Sequence, residues 1–211
     1  MTRVAVLIDG SNLLGALGRL DLGYPALRPL LTRVVGPDHL TFARFYGNPS
    51  PTEPWSRRWK AFVAANRHVE RLDWFQGYRQ KATRLEKAID VAVAADLFDA
   101  HLSNRADKAV VLGSDGDHLY ALKLASKYFP IRAFVVESQP TRMLARMRLR
   151  FTVLTRIELL ALGIAQHGIG SPTVSAHAAP NGSPWLTPIL TGAAGDPSPA
   201  PSIPSHAGML E

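Results

Sequence analysis

The first 165 residues alternate between apolar runs and segments with helical periodicity. Continuous apolar runs at residues 4–8 and 109–112 predict strands that are buried on both faces. Shorter apolar segments predict further strands at residues 40–46, 69–75, 131–136 and 151–154. Helical spacing is found at residues 55–66, 119–128, 143–147 and 157–162. This alternation predicts an α/β fold, a three-layer α/β/α sandwich with a mostly parallel central sheet.

One helix start carries a more specific signal. Thr83 and Glu86 have the spacing of a capping box, which predicts a long helix from residue 83 to about residue 101. In that register Asp90 lies well inside the helix, on the face that should be buried. An acid there needs a lysine, a metal or a ligand. The alternative is an ion pair between Asp90 and Lys87, one turn earlier, which would contribute little.

Acidic residues also follow two of the predicted strands. Asp9 comes directly after the first strand, and Asp115 and Asp117 follow the strand at residues 109–112. Because the carboxyl ends of parallel strands lie at one edge of a sheet, these acids are expected to converge there. Two nearby carboxylates repel each other, and Mg²⁺ or Mn²⁺ would neutralise them. The alternative is that each acid caps the helix that follows it.

The composition changes after residue 165. Residues 166–211 hold 8 of the 16 prolines, 6 glycines and 6 serines, but only two charged residues. Such a segment buries too little apolar surface to offset the entropy lost on ordering. We therefore predict a folded domain at residues 1–165 and a disordered tail at residues 166–211. Two apolar pairs of the tail, Trp185-Leu186 and Ile189-Leu190, are candidates for a short motif that docks another protein, and the alternative is a tail that is solvated throughout.

The charge and the missing cysteines narrow the function classes. The 24 basic residues outnumber 17 acidic ones, and all 24 lie in residues 1–165 with 15 of the acids, giving that part a net charge of +9. A basic chain favours a polyanionic partner such as nucleic acid. The absence of cysteine excludes disulfides, thiolate zinc sites and a cysteine nucleophile. With no apolar run long enough for a membrane span or a signal peptide, we expect a cytoplasmic protein with no membrane partner.

Residues 57–87 concentrate basic and aromatic side chains. Nine basic residues occur there with only three acidic ones, and tryptophans are interleaved with them. Such side chains can hold a nucleic-acid backbone and stack on its bases. The alternative is a solvated basic face with its tryptophans in the core. A second basic cluster comprises Arg142, Arg146, Arg148 and Arg150.

Three segments together resemble the NYN domain, in the LabA-like bacterial branch of the PIN-like nuclease superfamily. They are residues 6–12 (VLIDGSN), 87–96 (KAIDVAVAAD) and 111–117 (VLGSDGD), in the same order and with similar spacing. The resemblance covers about residues 2–160. It implies a PIN-like, Rossmannoid fold, a cluster of acids that binds Mg²⁺ or Mn²⁺, and metal-dependent cleavage of RNA.

The resemblance also implies roles for individual residues. The expected metal ligands and catalytic residues are Asp9, Asp90, Asp115 and Asp117, with Asp96 as a weaker candidate that otherwise faces solvent. Asn12 and Ser114 would position these ligands, and Lys87 would contact a phosphate or orient Asp90. RNA contacts are expected from Arg57, Arg58, Lys60, Arg79, Lys81 and Arg84. His118 stands where the family commonly has phenylalanine, either as a core residue or as a phosphate contact or proton shuttle.

With this resemblance, the sequence predicts a metal-dependent ribonuclease, an endonuclease. The resemblance further implies that the products carry 5′-phosphate and 3′-hydroxyl ends. The alternative is a weakly active or inactive RNA-binding or regulatory protein that keeps the NYN fold. A haloacid-dehalogenase-type phosphatase would need a second acid at Ser11, and a dinucleotide fold would need G-x-G-x-x-G after the first strand. The oligomeric state stays open, with a homodimer among the alternatives.

Overall fold

The computed structural model describes residues 1–47, 55–79 and 86–165, without the side chains of residues 55, 56, 78, 79, 86 and 87. The predicted tail lies outside these residues. The strands are β1 (Arg3–Asp9), β2 (His39–Gly47), β3 (Leu72–Gln76), β4 (Tyr78–Arg79), β5 (Glu86–Lys87), β6 (Lys108–Leu112), β7 (Ile131–Val136) and β8 (Arg150–Leu154). The α-helices are α1 (Gly10–Arg19), α2 (Leu27–Val35), α3 (Trp55–Asn66), α4 (Ile89–Leu102), α5 (Leu119–Ala125), α6 (Arg142–Arg146) and α7 (Arg156–Ala161).

Six strands form one parallel sheet in the order β3-β2-β1-β6-β7-β8. The chain builds one half outward from β1 and then returns to add β6 beside it. This reversal of strand order leaves a crevice at the carboxyl ends of β1 and β6, where open α/β sheets commonly bind their ligands. The strands β4 and β5 form a separate antiparallel ribbon.

Each face of the sheet has its own hydrophobic core. Val4, Val6 and Ile8 of β1 pack with α1 and α2 on one face, while Ala5 and Leu7 pack with α4 and α5 on the other. All five side chains are fully buried, as the continuous apolar run predicts. The three-layer α/β/α sandwich is therefore confirmed.

The predicted strands and most predicted helices occur within a few residues of their expected places. The helix α2 was not predicted, although Leu27, Leu30 and Val34 give it a buried face. Its Pro29 lies in the first turn, where proline leaves no intrahelical hydrogen bond unmade.

The capping-box prediction is wrong. Glu86 lies in β5, where it pairs with Arg79 of β4, and the helix α4 begins only at Ile89. Ala88 turns the chain between them with a positive φ of 74°. Asp90 is consequently in the first turn of α4 and not in its interior. Thr83 lies outside the described residues. None of the helices in the described part of the chain is long and apolar enough to cross a membrane.

Candidate active site

Asp9 ends β1 next to the crevice and is buried. Its carboxylate caps α1, because Oδ1 accepts a 2.9 Å hydrogen bond from the backbone N–H of Asn12. The capping alternative for Asp9 is therefore correct. One hydrogen bond does not compensate a buried carboxylate, however, and its other oxygen faces the residues that follow β6.

His118 lies between Asp9 and Asp90. It belongs to a 3-10 helix, Gly116–His118, that follows β6, and only 1% of its side chain is exposed. Its Nδ1 is 3.3 Å from Oδ1 of Asp90, and its Nε2 is 3.9 Å from Oδ2 of Asp9. Nε2 has no hydrogen-bond partner among the described residues. His118 is thus buried like a core residue, yet it stands among the candidate catalytic acids.

These groups act on one another electrostatically. Burial raises the pKa of Asp9 to about 6, against the opposing effects of the Asn12 hydrogen bond and the His118 charge. The negative charges of Asp115 and Asp90 raise it further. Burial alone would lower the pKa of His118, but the hydrogen bond to Asp90 and the nearby carboxylates raise it above its ordinary value. Asp9, Asp90, Asp115 and His118 therefore form one electrostatic unit, which we call the acidic cluster.

The two acids after β6 have different surroundings. Asp115 caps the 3-10 helix, with Oδ1 accepting a 3.1 Å hydrogen bond from the backbone N–H of Asp117. Asp117 is exposed, and no contact within the described residues joins it to Asp9 or Asp90. The structure brings Asp115 to the acidic cluster and leaves Asp117 on its outer side.

Asn12 connects the loops around the crevice by hydrogen bonds. Its Oδ1 accepts a 3.1 Å hydrogen bond from the backbone N–H of Ser114 and a second from Gln139 Nε2. Gln139 is buried after β7 and also accepts a 2.7 Å hydrogen bond from the backbone N–H of Val136. The sequence gave no signal for Gln139. The Ser114 Oγ is buried without a hydrogen-bond partner in the described part of the chain.

Gly113 allows this loop to approach Asp9. Its φ is +138°, and a Cβ placed on it would lie 3.2 Å from the Asp9 Cβ and 3.3 Å from the Asn12 Oδ1. A larger residue would strain the backbone and push the loop after β6 away from the end of β1.

Asp96 is engaged elsewhere. Arg44 Nη1 donates to both of its carboxylate oxygens, at 2.8 and 2.7 Å, and the Tyr46 hydroxyl donates to Oδ2 at 2.6 Å. We call these three residues the Asp96 ion pair. The sequence left two expectations for Asp96, a metal ligand and a solvated acid. The structure instead shows an ion-paired acid, because both carboxylate oxygens have strong hydrogen-bond partners and the side chain is only 20% exposed.

The described fold agrees with the sequence comparison, in which the NYN domain matches residues 3–143. The chain belongs to the NYN domain family. This family is part of the PIN-like superfamily of nuclease-like domains. A crystal structure of a Vibrio parahaemolyticus RIMD 2210633 protein of unknown function is similar, with 14% identity and a TM-score of 0.58, over 72% of this chain and 93% of that chain. At this identity the likeness shows the fold alone. No curated protein matches the sequence.

Several predicted RNA contacts of this NYN domain can be placed. Lys60 and Arg57 are exposed on α3, beside the half-buried Arg58. Lys81 and Arg84 lie outside the described residues, as do the side chains of Arg79 and Lys87.

Trp59 and Trp74 are partly buried and pack against the core. Trp59 and Trp74 pack against Phe45 and Phe62, with ring centroids 5.1–6.0 Å apart. Phe75 packs against Tyr46 in the same way, at 5.7 Å. The core alternative is therefore correct for Trp59 and Trp74. The side chains of Trp55 and Tyr78 are not described.

Proposed function

We propose that this NYN domain protein is a metal-dependent ribonuclease that hydrolyses RNA phosphodiester bonds endonucleolytically at the acidic cluster. The observation that carries the proposal is the convergence of Asp9, Asp90 and Asp115 around a buried histidine at the sheet crevice. Fold alone does not decide function, but charged groups with perturbed pKa values in a crevice are typical of active sites.

The donor set supports a hard divalent cation. In the described part of the chain, no three Asp, Glu or His side chains already stand close enough to hold one metal ion. Asp9 is nevertheless buried near other carboxylates, and the His118 Nε2 that faces it has no hydrogen-bond partner in the described ranges. Carboxylate oxygens suit Mg²⁺ and Mn²⁺, which retain several of their own waters. Asp9, Asp90 and Asp115 are the residues that would hold the ion.

When bound, such an ion lowers the pKa of a coordinated water and offsets charge on the scissile phosphate. The chain's own residues set up the reaction. Asp9 is held by the start of α1, and Asn12 ties together the loops that follow β6 and β7. His118 can hold or release a proton between Asp9 and Asp90. Basic side chains on α3 would hold the RNA backbone.

The test is cleavage of single-stranded and structured RNA by the purified full chain with Mg²⁺ or Mn²⁺. Asp9→Asn and Asp115→Asn should each abolish turnover, as should excess EDTA. Asp99→Asn is the matched control, since Asp99 is an exposed acid of α4 that pairs with Arg105 away from the cluster. Turnover that survives either cluster substitution would refute the proposal. Products with 5′-phosphate ends would support hydrolysis by an activated water.

One observation favours a second function, RNA binding without turnover. His118, when protonated, supplies positive charge between Asp9 and Asp90 without any metal. RNA binding that is unchanged by Mn²⁺, with no cleavage by the wild type, would favour this alternative. His118→Phe would then destabilise the fold by removing the charge that faces the buried Asp9.

A further inference from the structure

A basic groove lies at the opposite edge of the sheet from the acidic cluster. It has a volume of about 1350 Å³ and is lined by the amino-terminal ends of β6, β7 and β8 together with the ends of α2 and α5. Because a strand rises about 3.3 Å per residue, the five residues of β6 place this groove about 16 Å from the crevice.

The groove carries cations that no acid of the described residues neutralises. Asp38 is the one acid among its described lining residues, and it pairs with Lys108. Arg33 pairs with Glu158 at 2.8 Å. Five further cations of the groove make no ion pair within the described residues, namely Lys123, Lys127, Arg132, Arg148 and Arg150.

Two of these cations are direct neighbours in the sheet. Arg132 of β7 and Arg150 of β8 are register partners, so their side chains leave the same face of adjacent strands. Strands are about 4.8 Å apart, and like charges directly opposite each other are destabilising. Both arginines are exposed, and Arg132 also lies over the Phe134 ring at 5.1 Å. An anion bound between them would turn this repulsion into attraction.

Arg148 occupies a backbone position that favours glycine. It follows the last turn of α6 with a φ of 54°. Its N–H donates to the carbonyl of Ala145, and the Leu149 N–H donates to that of Leu144. This is the Schellman arrangement, in which the left-handed residue is usually glycine. An arginine there adds cost to the fold and places another cation in the groove.

We propose that the basic groove binds the phosphate backbone of RNA, as a second contact surface remote from the acidic cluster. The choice of RNA as the polyanion rests on the proposed function. A concave groove admits a single strand but not a flat bilayer, and the exposed Tyr128 at its rim offers a ring for stacking on a base. This surface is separate from the basic side chains of α3.

The test measures binding of a fluorescent single-stranded RNA to the full chain in EDTA, over a series of salt concentrations. The double variant Arg132→Gln with Arg150→Gln should bind about tenfold more weakly, and the slope of log K against log salt should fall by about 1.4, or 0.7 per phosphate. The matched control, Arg142→Gln with Arg146→Gln, removes the same charge from exposed positions of α6 outside the groove. It should change the affinity less than twofold.

Arg148→Gly separates a loss of RNA binding from damage to the fold, because it should change stability and affinity in opposite directions. The thermal midpoint should rise by about 2 °C, because glycine suits the positive φ, while RNA affinity falls about threefold. An unchanged affinity would contradict the role of Arg148.

Equal losses in the two double variants, or a loss in neither, would overturn the inference. So would a wild type that binds phosphatidylglycerol vesicles but not RNA. The binding assay is independent of cleavage. If the groove variants bind RNA more weakly but the wild type shows no turnover, the proposed function is refuted and the groove proposal stands. If the wild type cleaves RNA but the groove variants bind RNA as tightly as it does, the groove proposal is refuted and the proposed function stands.

Discussion

Two acids of the helix α4, Asp96 and Asp90, have different surroundings. Asp96 has both carboxylate oxygens held by Arg44 and a third hydrogen bond from Tyr46. Asp90 lies on one side of His118, and the buried Asp9 lies on the other. Both carboxylate oxygens of Asp96 are satisfied by side chains of the protein, whereas the buried Asp9 accepts one hydrogen bond, from the Asn12 N–H, within the described residues. The comparison separates an acid that holds the fold together from a cluster whose buried acid has a raised pKa, which is typical of functional sites.

The difference has an energetic meaning. A charge with good partners stabilises the folded state, while a buried charge without them costs stability. Natural proteins keep such costs at functional sites and offset them elsewhere. Asp9, 3% exposed with its pKa raised to about 6, bears a cost of this kind. Variants in the two regions should therefore respond in opposite ways.

The largest expected effect concerns metal affinity. Asn12→Ala removes the acceptor shared by Ser114 and Gln139 and so loosens the loops around Asp9. Residues that orient metal ligands typically contribute 10–100-fold, so the Mn²⁺ dissociation constant should rise by about that factor. Asp96→Asn should leave it unchanged within about twofold. Calorimetric titration with Mn²⁺ measures the dissociation constant of each variant. An equal loss of Mn²⁺ affinity in both variants would contradict the distinction between the two regions.

The second prediction is that substitutions in the two regions change the free energy of unfolding in opposite directions. Asp96→Asn leaves Arg44 with only the longer, 3.6 Å contact to the exposed Asp73 and should lower the free energy of unfolding by about 2 kcal/mol. Asp9→Asn keeps the cap on α1, because asparagine also accepts the Asn12 N–H, and removes the buried charge. At neutral pH without metal it should raise the free energy of unfolding by about 3 kcal/mol, the equivalent of the pKa shift from 3.8 to about 6. Urea unfolding of the three proteins compares them directly, and destabilisation by both substitutions would contradict the comparison.

The gain from Asp9→Asn should depend on pH. The folded-state pKa of Asp9 is about 6, above its ordinary value of 3.8. The folded state therefore holds the proton more tightly, and ionisation penalises the wild type increasingly as the pH rises from 3.8 to 6. The advantage of Asp9→Asn should be absent below about pH 4 and complete above about pH 6. Urea midpoints across this range measure it, and a constant difference would show that charge is not its cause.

Sequence reasoning placed Asp9 and Asp115 correctly because each follows a buried strand, and an apolar run of that kind is visible without any knowledge of tertiary structure. It misplaced the start of α4, because the local capping signal at Thr83 and Glu86 is overridden by pairing between β4 and β5. The Arg44–Asp96 contact spans 52 residues and the Gln139–Asn12 contact 127. No local pattern encodes which of several acids a distant arginine reaches.

The smallest expected effect contrasts two hydroxyls. Tyr46→Phe removes a 2.6 Å hydrogen bond to Asp96 and should cost about 1 kcal/mol, since the carboxylate loses a partner. Ser114→Ala removes a buried hydroxyl that has no partner among the described residues, so stability should stay within about 0.5 kcal/mol of the wild type. Thermal unfolding in EDTA compares the two variants. The contrary outcome is that Ser114→Ala lowers the stability as much as Tyr46→Phe does. That result would mean that the Ser114 hydroxyl has a hydrogen-bond partner in solution, such as a water molecule, and that polar groups beside the acidic cluster have partners beyond those of the protein itself.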